Sequence, residues 1–545
     1  MSAQSATPGV VWFTRTVTAA GGVFAPGHLG ELTQLVPFEL VDEVLAETKT
    51  VQRRLRALPS RAGVYFVLAL GLFPQLGYAR VWARLTAGLA GLPGLALAAP
   101  SEKALRDLRR RLGPAPFKAL FEVLAGPLAW PYMPGVRFMG LRTVAFDACM
   151  SLHVPDTPRN RAWLGRRRFG NGFGAYPVLH LLALAETGTR GLLGAVTATV
   201  AEGEVALARR LLHLLGPGML VLADRAYDNA AFLAQIARTG AHVLARGSAA
   251  RNPVVVQILP DGSYLSRIGT LDVRIIEADL TLTGADGSQH RDRYRLITTL
   301  ADPGRYPATV LVKLYHERWE IESAYYALRH TLLHGQNLRS GDRPGLEQET
   351  WALLALYQLL RMAMTDATAT RPGTDPDRAS FTTALQTARD QLTAAAGITT
   401  PAHPGAITRA VLATLLPPRR PRYSTRTVKT SRSRYPTRPT TSAPASTRPA
   451  LPATITAITI TITTPPPGQR PRPRRRKNYR ARPGTYRHQV QTLMNTQPHR
   501  PWHHTELAAT LHLDPAKLHI KLADWTRRGY LTRTKPGTYT LTTPP

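Results

Sequence analysis

The stretch GMLVLADRAYDNAAFLAQIARTGAHVLARG, residues 218–247, decides the fold of this chain. Two short apolar runs, MLVLA and HVLA, flank a segment whose apolar residues recur every three or four positions. Short apolar runs that end in polar or turn residues predict strands, whereas the spacing between them predicts a helix. Strands that alternate with helices in this way indicate an α/β sheet.

The same pattern extends on both sides of this stretch. Further short apolar runs begin at about residue 142, and a strand-rich segment with Asp-Gly turn signals at 261 and 286 occupies 254–300. A helix is predicted from 307 to about 334, with further helices to about 396. We therefore expect an α/β domain over 136–396 that includes the strand-rich segment 254–300.

The amino-terminal region differs in composition. Residues 28–125 are rich in Leu, Ala and Arg at helical spacing, which predicts a helical amino-terminal domain within 1–135. The only cysteine, Cys149, excludes an internal disulfide framework and any zinc site built from several cysteines.

The charge of the chain points to a polyanionic partner. Its 545 residues allow two to four domains, and they carry a formal net charge of +34 with a pI near 11.1. Such an excess favours nucleic acid or an acidic membrane surface as the partner. The longest apolar run, residues 64–73, is about half as long as a bilayer span, and no cleavable signal peptide is visible. An intracellular, soluble protein is expected.

The positive charge is concentrated toward the carboxyl terminus. No acidic residue lies between Asp390 and Glu506, whereas that segment contains 20 Lys and Arg residues. Within it, residues 397–484 are dominated by Pro, Thr, Ser and Arg, which predicts a disordered basic linker. Its short ITAITITIT stretch has strand-like composition, but nothing nearby in the sequence would cover it.

Order is predicted to return at about residue 485. The pattern over 485–545 indicates two helices, a short turn, a third helix and then two strands around Lys-Pro-Gly. This order is typical of a winged helix-turn-helix, whose third helix, about 515–528, would enter a DNA major groove.

Three carboxylates stand out by position. Asp147 follows the apolar run TVAF, Asp224 follows MLVLA, and Glu322 lies in the helix that begins at 307. Hard oxygen ligands of this kind suit Mg²⁺ or Mn²⁺, and two such ions can flank a phosphodiester during cleavage. The alternative is that Asp147 and Asp224 only form turns at strand ends.

The helix around Glu322 carries further groups suited to phosphate chemistry. In LYHERWEIESAYYALRHTL, residues 314–332, a regular helix would place Tyr315, Arg318, Glu322 and Arg329 within about 60° of arc. Guanidinium groups beside a metal-binding carboxylate could hold phosphate oxygens. A solvated helix face with an Arg318–Glu322 ion pair is the alternative.

These motifs resemble those of the DDE transposases of bacterial insertion sequences, in the insertion-sequence-four group. The group's signature Tyr-x2-Arg-x3-Glu-x6-Lys corresponds to Tyr315, Arg318 and Glu322, with Arg329 in place of the Lys. FDACMSLHVPDTPRN and LADRAYDNAAFLAQIARTGAHVLAR resemble its motifs around the first and second Asp, although Ala148 and Cys149 replace the usual Gly-Thr. The resemblance extends over roughly 28–365.

The resemblance implies that 136–396 is an RNase H-like catalytic domain and that 254–300 is a β insertion between the second Asp and the Glu. It also implies a DNA-binding role for the helical 1–135 region and a bacterial, cytoplasmic and nucleoid-associated protein. The expected partners are double-stranded DNA, namely the terminal inverted repeats and the target, and a second copy of the chain in a synaptic complex. The expected cofactor is Mg²⁺ or Mn²⁺, two ions. The implied catalytic and metal-binding residues are Asp147, Asp224 and Glu322, and the implied DNA-binding residues are Tyr315, Arg318, Arg329 and Arg225.

Three functions fit these observations. An active transposase would bind insertion-sequence ends and catalyse metal-dependent DNA cleavage and strand transfer. A catalytically retired, transposase-derived protein would only bind DNA, and an RNase H-like nuclease would cleave without joining. The three carboxylates favour the transposase, because a retired enzyme has no chemical reason to keep all of them.

Overall fold

The computed structural model describes most of the chain. The described residues are 29–54, 58–87, 99–166, 168–169, 172–284, 287–394, 405–417, 455–464, 486–498, 500–527 and 530–541. They divide into two compact units, Met1–Arg470 and Pro471–Pro545. Much of the predicted linker 397–484 lies outside the described residues.

The first unit combines helices with one large sheet. Its helices are α1 (Phe38–Glu47), α2 (Ser60–Leu72), α3 (Tyr78–Leu85), α4 (Glu102–Leu112), α5 (Ala115–Leu124), α6 (Pro158–Leu164), α7 (Glu204–Arg209), α8 (Ala230–Arg238), α9 (Ala308–Tyr315), α10 (Glu320–Tyr326), α11 (Arg343–Ala369), α12 (Phe381–Thr393) and α13 (Ala406–Ala413). Its strands are β1 (Arg137–Phe138), β2 (Leu141–His153), β3 (Arg168–Phe169), β4 (Gly172–Phe173), β5 (Val178–Glu186), β6 (Leu192–Ala198), β7 (Met219–Ala223), β8 (His242–Arg246), β9 (Gln257–Ile258), β10 (Tyr264–Ile268), β11 (Leu271–Gly284), β12 (Gln289–Thr298) and β13 (Ile455–Ile462).

The strand order of the large sheet is β6-β5-β2-β7-β8-β12-β11-β10-β9, with β1 paired to β2 and β13 paired to β11. The pairs β2–β7 and β7–β8 are parallel, and the other described pairs are antiparallel. The decisive stretch 218–247 therefore forms the strand, helix and strand that its apolar pattern predicts. The mixed α/β fold expected from the sequence is confirmed.

Both faces of the sheet are covered. All nine residues of β5 are buried, which is what a strand with packing on both sides requires. The amino-terminal helices and α11 share the apolar core on one face, and α7 and α8 contribute to the core on the other. Nineteen of the 27 residues of α11 are buried, because helices surround it on most sides. None of the described helices is both long and apolar enough to cross a bilayer.

The expectation of disorder throughout 397–484 is wrong for two described segments. Helix α13 packs against α11 and α12, and β13 pairs with β11 over seven residue pairs. The sequence of β13, ITAITITI, alternates Ile with Thr or Ala over most of its length, as a half-buried strand does. Its partner lies more than 170 residues away in the chain, so composition near the strand gave no sign of the surface that covers it.

The second unit contains α14 (Tyr486–Thr496), β14 (Trp502–His503), α15 (His504–Thr510), α16 (Pro515–Arg527), β15 (Leu531–Lys535) and β16 (Thr538–Leu541). Its three strands form an antiparallel sheet in the order β14-β16-β15. Gly537 closes the turn between β15 and β16 with a φ of 75°, in the left-handed region that glycine adopts without strain. The three helices and the hairpin lie where the sequence pattern predicts them.

Candidate active site

The parallel pairing of β2 with β7 brings the two candidate aspartates to the same level of the sheet. Ala145 in β2 pairs with Leu222 in β7, so Asp147 and Asp224 each lie two residues beyond paired positions. Asp147 lies in the middle of β2, opposite Ala183 in β5, so the alternative in which it only forms a turn at a strand end is wrong. Asp224 follows the last residue of β7, and its Oδ1 accepts a hydrogen bond of 2.6 Å from the backbone N–H of Ala226. Asp224 therefore does form the turn at a strand end that the alternative interpretation predicts for it.

The segment that carries Glu322 is helical throughout, but its pitch changes three times. Helix α9 is followed by a 3₁₀ turn (His316–Trp319), by α10, and by a π-helical segment (Ala327–Leu332). The regular α-helical spacing on which the expected single face was built is therefore interrupted. Tyr315 and Arg318 are 3% and 6% exposed, whereas the Glu322 side chain is 40% exposed.

Two buried tyrosines fasten this helical segment to the middle of β2, at Asp147, and to the end of β7, before Asp224. The Tyr325 hydroxyl donates to the backbone oxygen of Asp147 at 2.7 Å and accepts from the N–H of Ala183 at 3.0 Å. The Tyr315 hydroxyl donates to the backbone oxygen of Ala223, the residue before Asp224, at 3.2 Å. These bonds set the height of α10 above the sheet. Tyr315 thus supports the site from beneath instead of presenting its hydroxyl to DNA.

Arg318 lies among the three carboxylates. Its guanidinium is 3.2 Å from Oε1 of Glu322 and 5.1 Å from the ring centroid of Trp319. Burial by itself would lower the pKa of Arg318, but the negative groups around it, including Asp147 and Glu322, raise that pKa above its ordinary value. The buried guanidinium therefore supplies positive charge where the carboxylates converge.

Asp147 has an unusual protonation equilibrium. Burial raises its pKa to about 7, and the charges of Glu322 and Asp224 push in the same direction, while Arg318 opposes them. The carboxylates of the three predicted site residues are therefore close enough to interact through their charges. The Arg318–Glu322 ion pair, which the alternative interpretation of this helix predicts, is also present.

A buried network in the turn after β5 holds the other side of the same helical segment. The Thr187 hydroxyl donates to Oε2 of Glu317 at 3.2 Å, and Nε of Arg190 donates to Oε2 of Glu320 at 2.6 Å. Arg190 also pairs with Asp377, and its φ of 60° lies in the left-handed region that non-glycine residues seldom adopt. Sequence reasoning missed this network, because its members are far apart in the chain and share no motif.

The remaining predicted DNA contacts lie nearer the surface. Arg225, directly after Asp224, is exposed, and Arg329 is half-buried on the π-helical segment.

Tyr227 is fully buried between Phe146 and Phe232, and its hydroxyl has no hydrogen-bond partner among the described residues. Burial raises the pKa of Tyr227, and the charge of Asp147 adds to that rise.

The candidate carboxylates have the right chemistry for a divalent metal, but their side chains are not close enough together in the structure to hold one ion. One carboxylate lies within β2, one follows β7 and one lies on the facing helix, and carboxylate oxygens are the ligands that Mg²⁺ and Mn²⁺ prefer. Over the described part of the chain, no three His, Cys, Asp or Glu side chains are yet close enough to hold one ion. Oε1 of Glu322 is 3.2 Å from the guanidinium of Arg318, so this carboxylate is paired with a cation in the structure.

Two family models match the chain. Residues 26–122 match the insertion element 4 transposase amino-terminal domain, and residues 150–359 match the transposase DDE domain. Asp224 and Glu322 lie inside the second match, and Asp147 lies three residues before it. DDE transposases depend on divalent metal ions for catalysis.

Known transposases are similar to the chain. The transposase InsG of insertion sequence element IS4 from Escherichia coli K12 is 28% identical over 332 residues, which cover 58% of this chain and 72% of InsG. The InsZ protein of the same organism is 28% identical over 193 residues, covering 35% of this chain and 62% of InsZ. Among solved structures, the piggyBac transposase synaptic complex with hairpin DNA aligns with a TM-score of 0.39 and 10% identity, over 72% of this chain and 86% of that one.

The matched families and the arrangement of the site agree. The amino-terminal and DDE domain matches occur in the order in which the sequence motifs place them, and the three candidate carboxylates are close enough for their charges to interact. The chain belongs to the DDE transposases of the insertion-sequence-four group and is an insertion-sequence transposase.

Proposed function

We propose that Asp147, Asp224 and Glu322 are the metal-binding catalytic residues of this transposase. The observation that carries the proposal is the parallel register of β2 and β7, which places both aspartates at one level beneath Glu322. The raised pKa of Asp147 supports it, because burial beside two other carboxylates disfavours its charged form until a cation arrives. When bound, two Mg²⁺ or Mn²⁺ ions would activate the attacking oxygen and stabilise the leaving one.

Arg318 has two successive roles in this proposal. Without metal, its guanidinium neutralises part of the charge of Asp147 and Glu322. If Glu322 held a metal, the donor of Arg318 that now contacts this carboxylate would be available to a phosphate oxygen of the DNA. Nε of Arg318 has no hydrogen-bond partner within the described residues, so one buried donor is ready for such an acceptor.

Arg225 and Arg329 would hold the DNA backbone on either side of the carboxylates. Arg225 adjoins Asp224, and Arg329 follows Glu322 by seven residues on the same helical segment. Both can donate to phosphate oxygens without reading sequence. Tyr315 would act beneath them as a support, because its hydroxyl is committed to Ala223.

The core topology agrees with an RNase H-like fold. Three antiparallel strands (β6, β5 and β2) continue into two parallel ones (β7 and β8), which is the order expected for that fold. The four strands β9–β12 form the insertion between the second Asp and the Glu. In the second unit, three helices and a three-stranded sheet support a DNA-binding winged helix, whose α16 would enter a major groove. Helix α16 exposes Lys517, Ile520 and Lys521 and buries Leu518 and Leu522.

The substrates would be the terminal inverted repeats of the element and a target duplex. Cleavage at an end would free a 3′-OH, which would then attack target DNA. A homodimer would hold both ends during these steps, in the bacterial cytoplasm and in association with the nucleoid. Similarity to InsG supports this assignment, and the large positive charge of the chain suits an extended DNA path.

The decisive experiment compares wild type with Glu322→Gln on a labelled duplex that carries the element's own terminal repeats. Cleavage and strand joining in Mg²⁺ or Mn²⁺ should fall by about 10³-fold or more, because a metal ligand is lost. DNA binding should persist, because the substitution removes no positive charge. Glu347→Gln is the matched control, since Glu347 is a surface carboxylate paired with Arg343 on α11.

Two results would contradict the proposal. Equal cleavage by wild type and Glu322→Gln would remove Glu322 from the chemistry. Tight binding by both proteins, with cleavage by neither, would instead indicate a retired transposase that only binds DNA.

A further inference from the structure

The edge of β11 is divided between two partners. Over Leu271–Ile275 its neighbour is β10, and over Ala278–Gly284 its neighbour on that side is β13. Strand β12 occupies the opposite side along nearly the whole length of β11. Strand β13 therefore completes an edge that the β insertion leaves open by itself.

The hydrogen-bond register of this pairing follows from one bond. The N–H of Thr463 donates to the backbone oxygen of Glu277 at 2.9 Å. Bonded pairs in an antiparallel ladder recur at every second residue, so Thr461 and Thr459 also direct their N–H groups toward β11. On β11, the N–H groups of Asp279 and Thr281 face β13 by the same rule, and those of Ala278 and Leu280 face β12.

The side chains of β13 follow the same alternation. Ile458, Ile460 and Ile462 are half-buried against the core to which α9 also belongs, whereas Thr459 and Thr461 are exposed. Burial of three isoleucines on one face gives this strand a specific register, because a slip by one residue would expose them all. Strand β13 is thus fitted to this surface by side chains as well as by backbone.

This pairing shortens the chain that leads to the second unit. Before β13, the last described contact with the first unit is the bond from the N–H of Leu416 to the oxygen of Arg378. Without β13, the stretch from there to helix α14 comprises 69 residues, 417–485. With β13 in place, the stretch comprises 21 residues, 465–485, and includes the most basic run of the chain, RPRPRRRKNYRARP.

We propose that β13 is a docking strand that anchors the carboxy-terminal arm to the β insertion and so gives its DNA-binding unit a short tether. This inference rests on the DNA-binding role proposed for that unit. The effective concentration of a tethered module falls as about the 3/2 power of tether length, so the threefold longer stretch would lower it roughly sixfold. Docking therefore strengthens binding to DNA that both units contact, without adding any contact to DNA itself.

The first test separates backbone docking from other effects of substitution. Thr461→Pro removes an N–H that faces β11, whereas Thr461→Val keeps it and suits an exposed strand position. Residue-resolved amide exchange of the full chain should show loss of protection at Asp279 and Thr281 in Thr461→Pro alone. Ala278 and Leu280 should remain protected, because their N–H groups face β12. Equal protection of Asp279 and Thr281 in both variants would overturn the docking.

A second pair of variants tests the apolar face of the strand. Ile460→Glu places a charge against the core, whereas Thr459→Glu places the same charge on the exposed face. We expect Ile460→Glu to reproduce the exchange pattern of Thr461→Pro, and Thr459→Glu to resemble wild type. The reverse order of effects would contradict the proposed seating of β13.

The third measurement connects docking with function. Affinity is compared on duplexes of about 15 and about 50 base pairs, so that only the longer one can reach both units. Thr461→Pro should weaken binding to the long duplex by roughly sixfold relative to Thr461→Val, and leave the short duplex unchanged. Unchanged affinity for the long duplex, despite lost amide protection, would overturn the tether. If wild type itself bound both duplexes equally, the proposed DNA-binding role of the arm would fail, and wild type alone would reveal this.

Discussion

Asp147 connects protonation, metal binding and stability at the scale of single residues. Its pKa of about 7 lies above the ordinary value of 3.8, chiefly because burial disfavours the carboxylate. The folded protein therefore holds this proton more tightly than the unfolded chain does. Stability contributed by the protonated form is fully present below about pH 4 and is lost as the pH rises through about 7.

Asp147→Asn tests this electrostatic cost. Asn does not titrate, so without metal the variant should be more stable than wild type at about pH 8, by roughly 1–3 kcal/mol. The difference should shrink toward zero near pH 4. Urea unfolding in the presence of a chelator, measured between about pH 4 and about pH 8, shows whether Asp147→Asn is the more stable protein at high pH. Asp107→Asn, at an exposed site on α4, is the control, and a difference for Asp147→Asn that does not vary with pH would refute the account.

The Tyr325 hydroxyl offers a second test at this scale. Tyr325→Phe leaves the backbone oxygen of Asp147 and the N–H of Ala183 without their shared partner, which should cost about 1–3 kcal/mol. Tyr65→Phe removes another buried hydroxyl, which donates to Val36, and should cost a similar amount. Only Tyr325→Phe should raise the metal concentration needed for half-maximal cleavage. An equal metal requirement in both variants would make Tyr325 purely structural.

At the scale of elements, the helical segment around Glu322 shows where sequence reasoning succeeds and where it ends. The helix from 307 to about 334 could be predicted from apolar spacing, and its motif was recognised by resemblance to a family signature. The changes of pitch were not predicted, and the contacts that hold this segment involve distant residues. Tyr315 is held by Ala223, and Glu317 and Glu320 are held by the turn after β5. Local spacing does not encode such contacts, so it gave no sign that the Tyr315 hydroxyl is bonded to Ala223.

Arg190→Gln tests the turn that holds α10. Removing the guanidinium leaves Glu320 and Asp377 buried with one fewer cation, at a cost of about 3–5 kcal/mol. Arg274→Gln is matched to it, because Arg274 is fully buried and pairs with Asp261 in the β insertion. Both should lower the urea midpoint of unfolding. Only Arg190→Gln should also raise the metal concentration for half-maximal cleavage, and the same rise in Arg274→Gln would point to general loosening.

At the scale of the whole molecule, composition correctly predicted a polyanion-binding protein with several regions, and motif order predicted the transposase family. It did not predict that the amino-terminal helices would share a core with α11 and the sheet. Nor did it predict β13, whose covering surface is formed by residues far away in the chain. Charge and local periodicity are properties of short segments of sequence, whereas a shared core depends on which distant segments pack together in the fold.

The positive charge of the second unit gives a prediction at this scale. Lys521 is exposed on α16, 5.5 Å from the ring centroid of Tyr486. Lys521→Gln should reduce the slope of log K against log salt for DNA binding by about 1, because one phosphate contact is lost. Lys521→Arg keeps the charge and should keep the slope. Equal slopes in all three proteins would place Lys521 outside the DNA interface.

The divided edge of β11 also bears on the fate of incomplete gene copies. A premature stop codon before residue 455 would yield a chain in which the backbone groups of Ala278–Gly284 on that side lack their strand partner. Bare strand edges invite pairing between molecules, so such a product should accumulate as insoluble aggregate and be degraded. Decayed copies of the element would then be silenced through loss of protein as well as through loss of DNA contacts, and they would not persist as competitors of the intact enzyme.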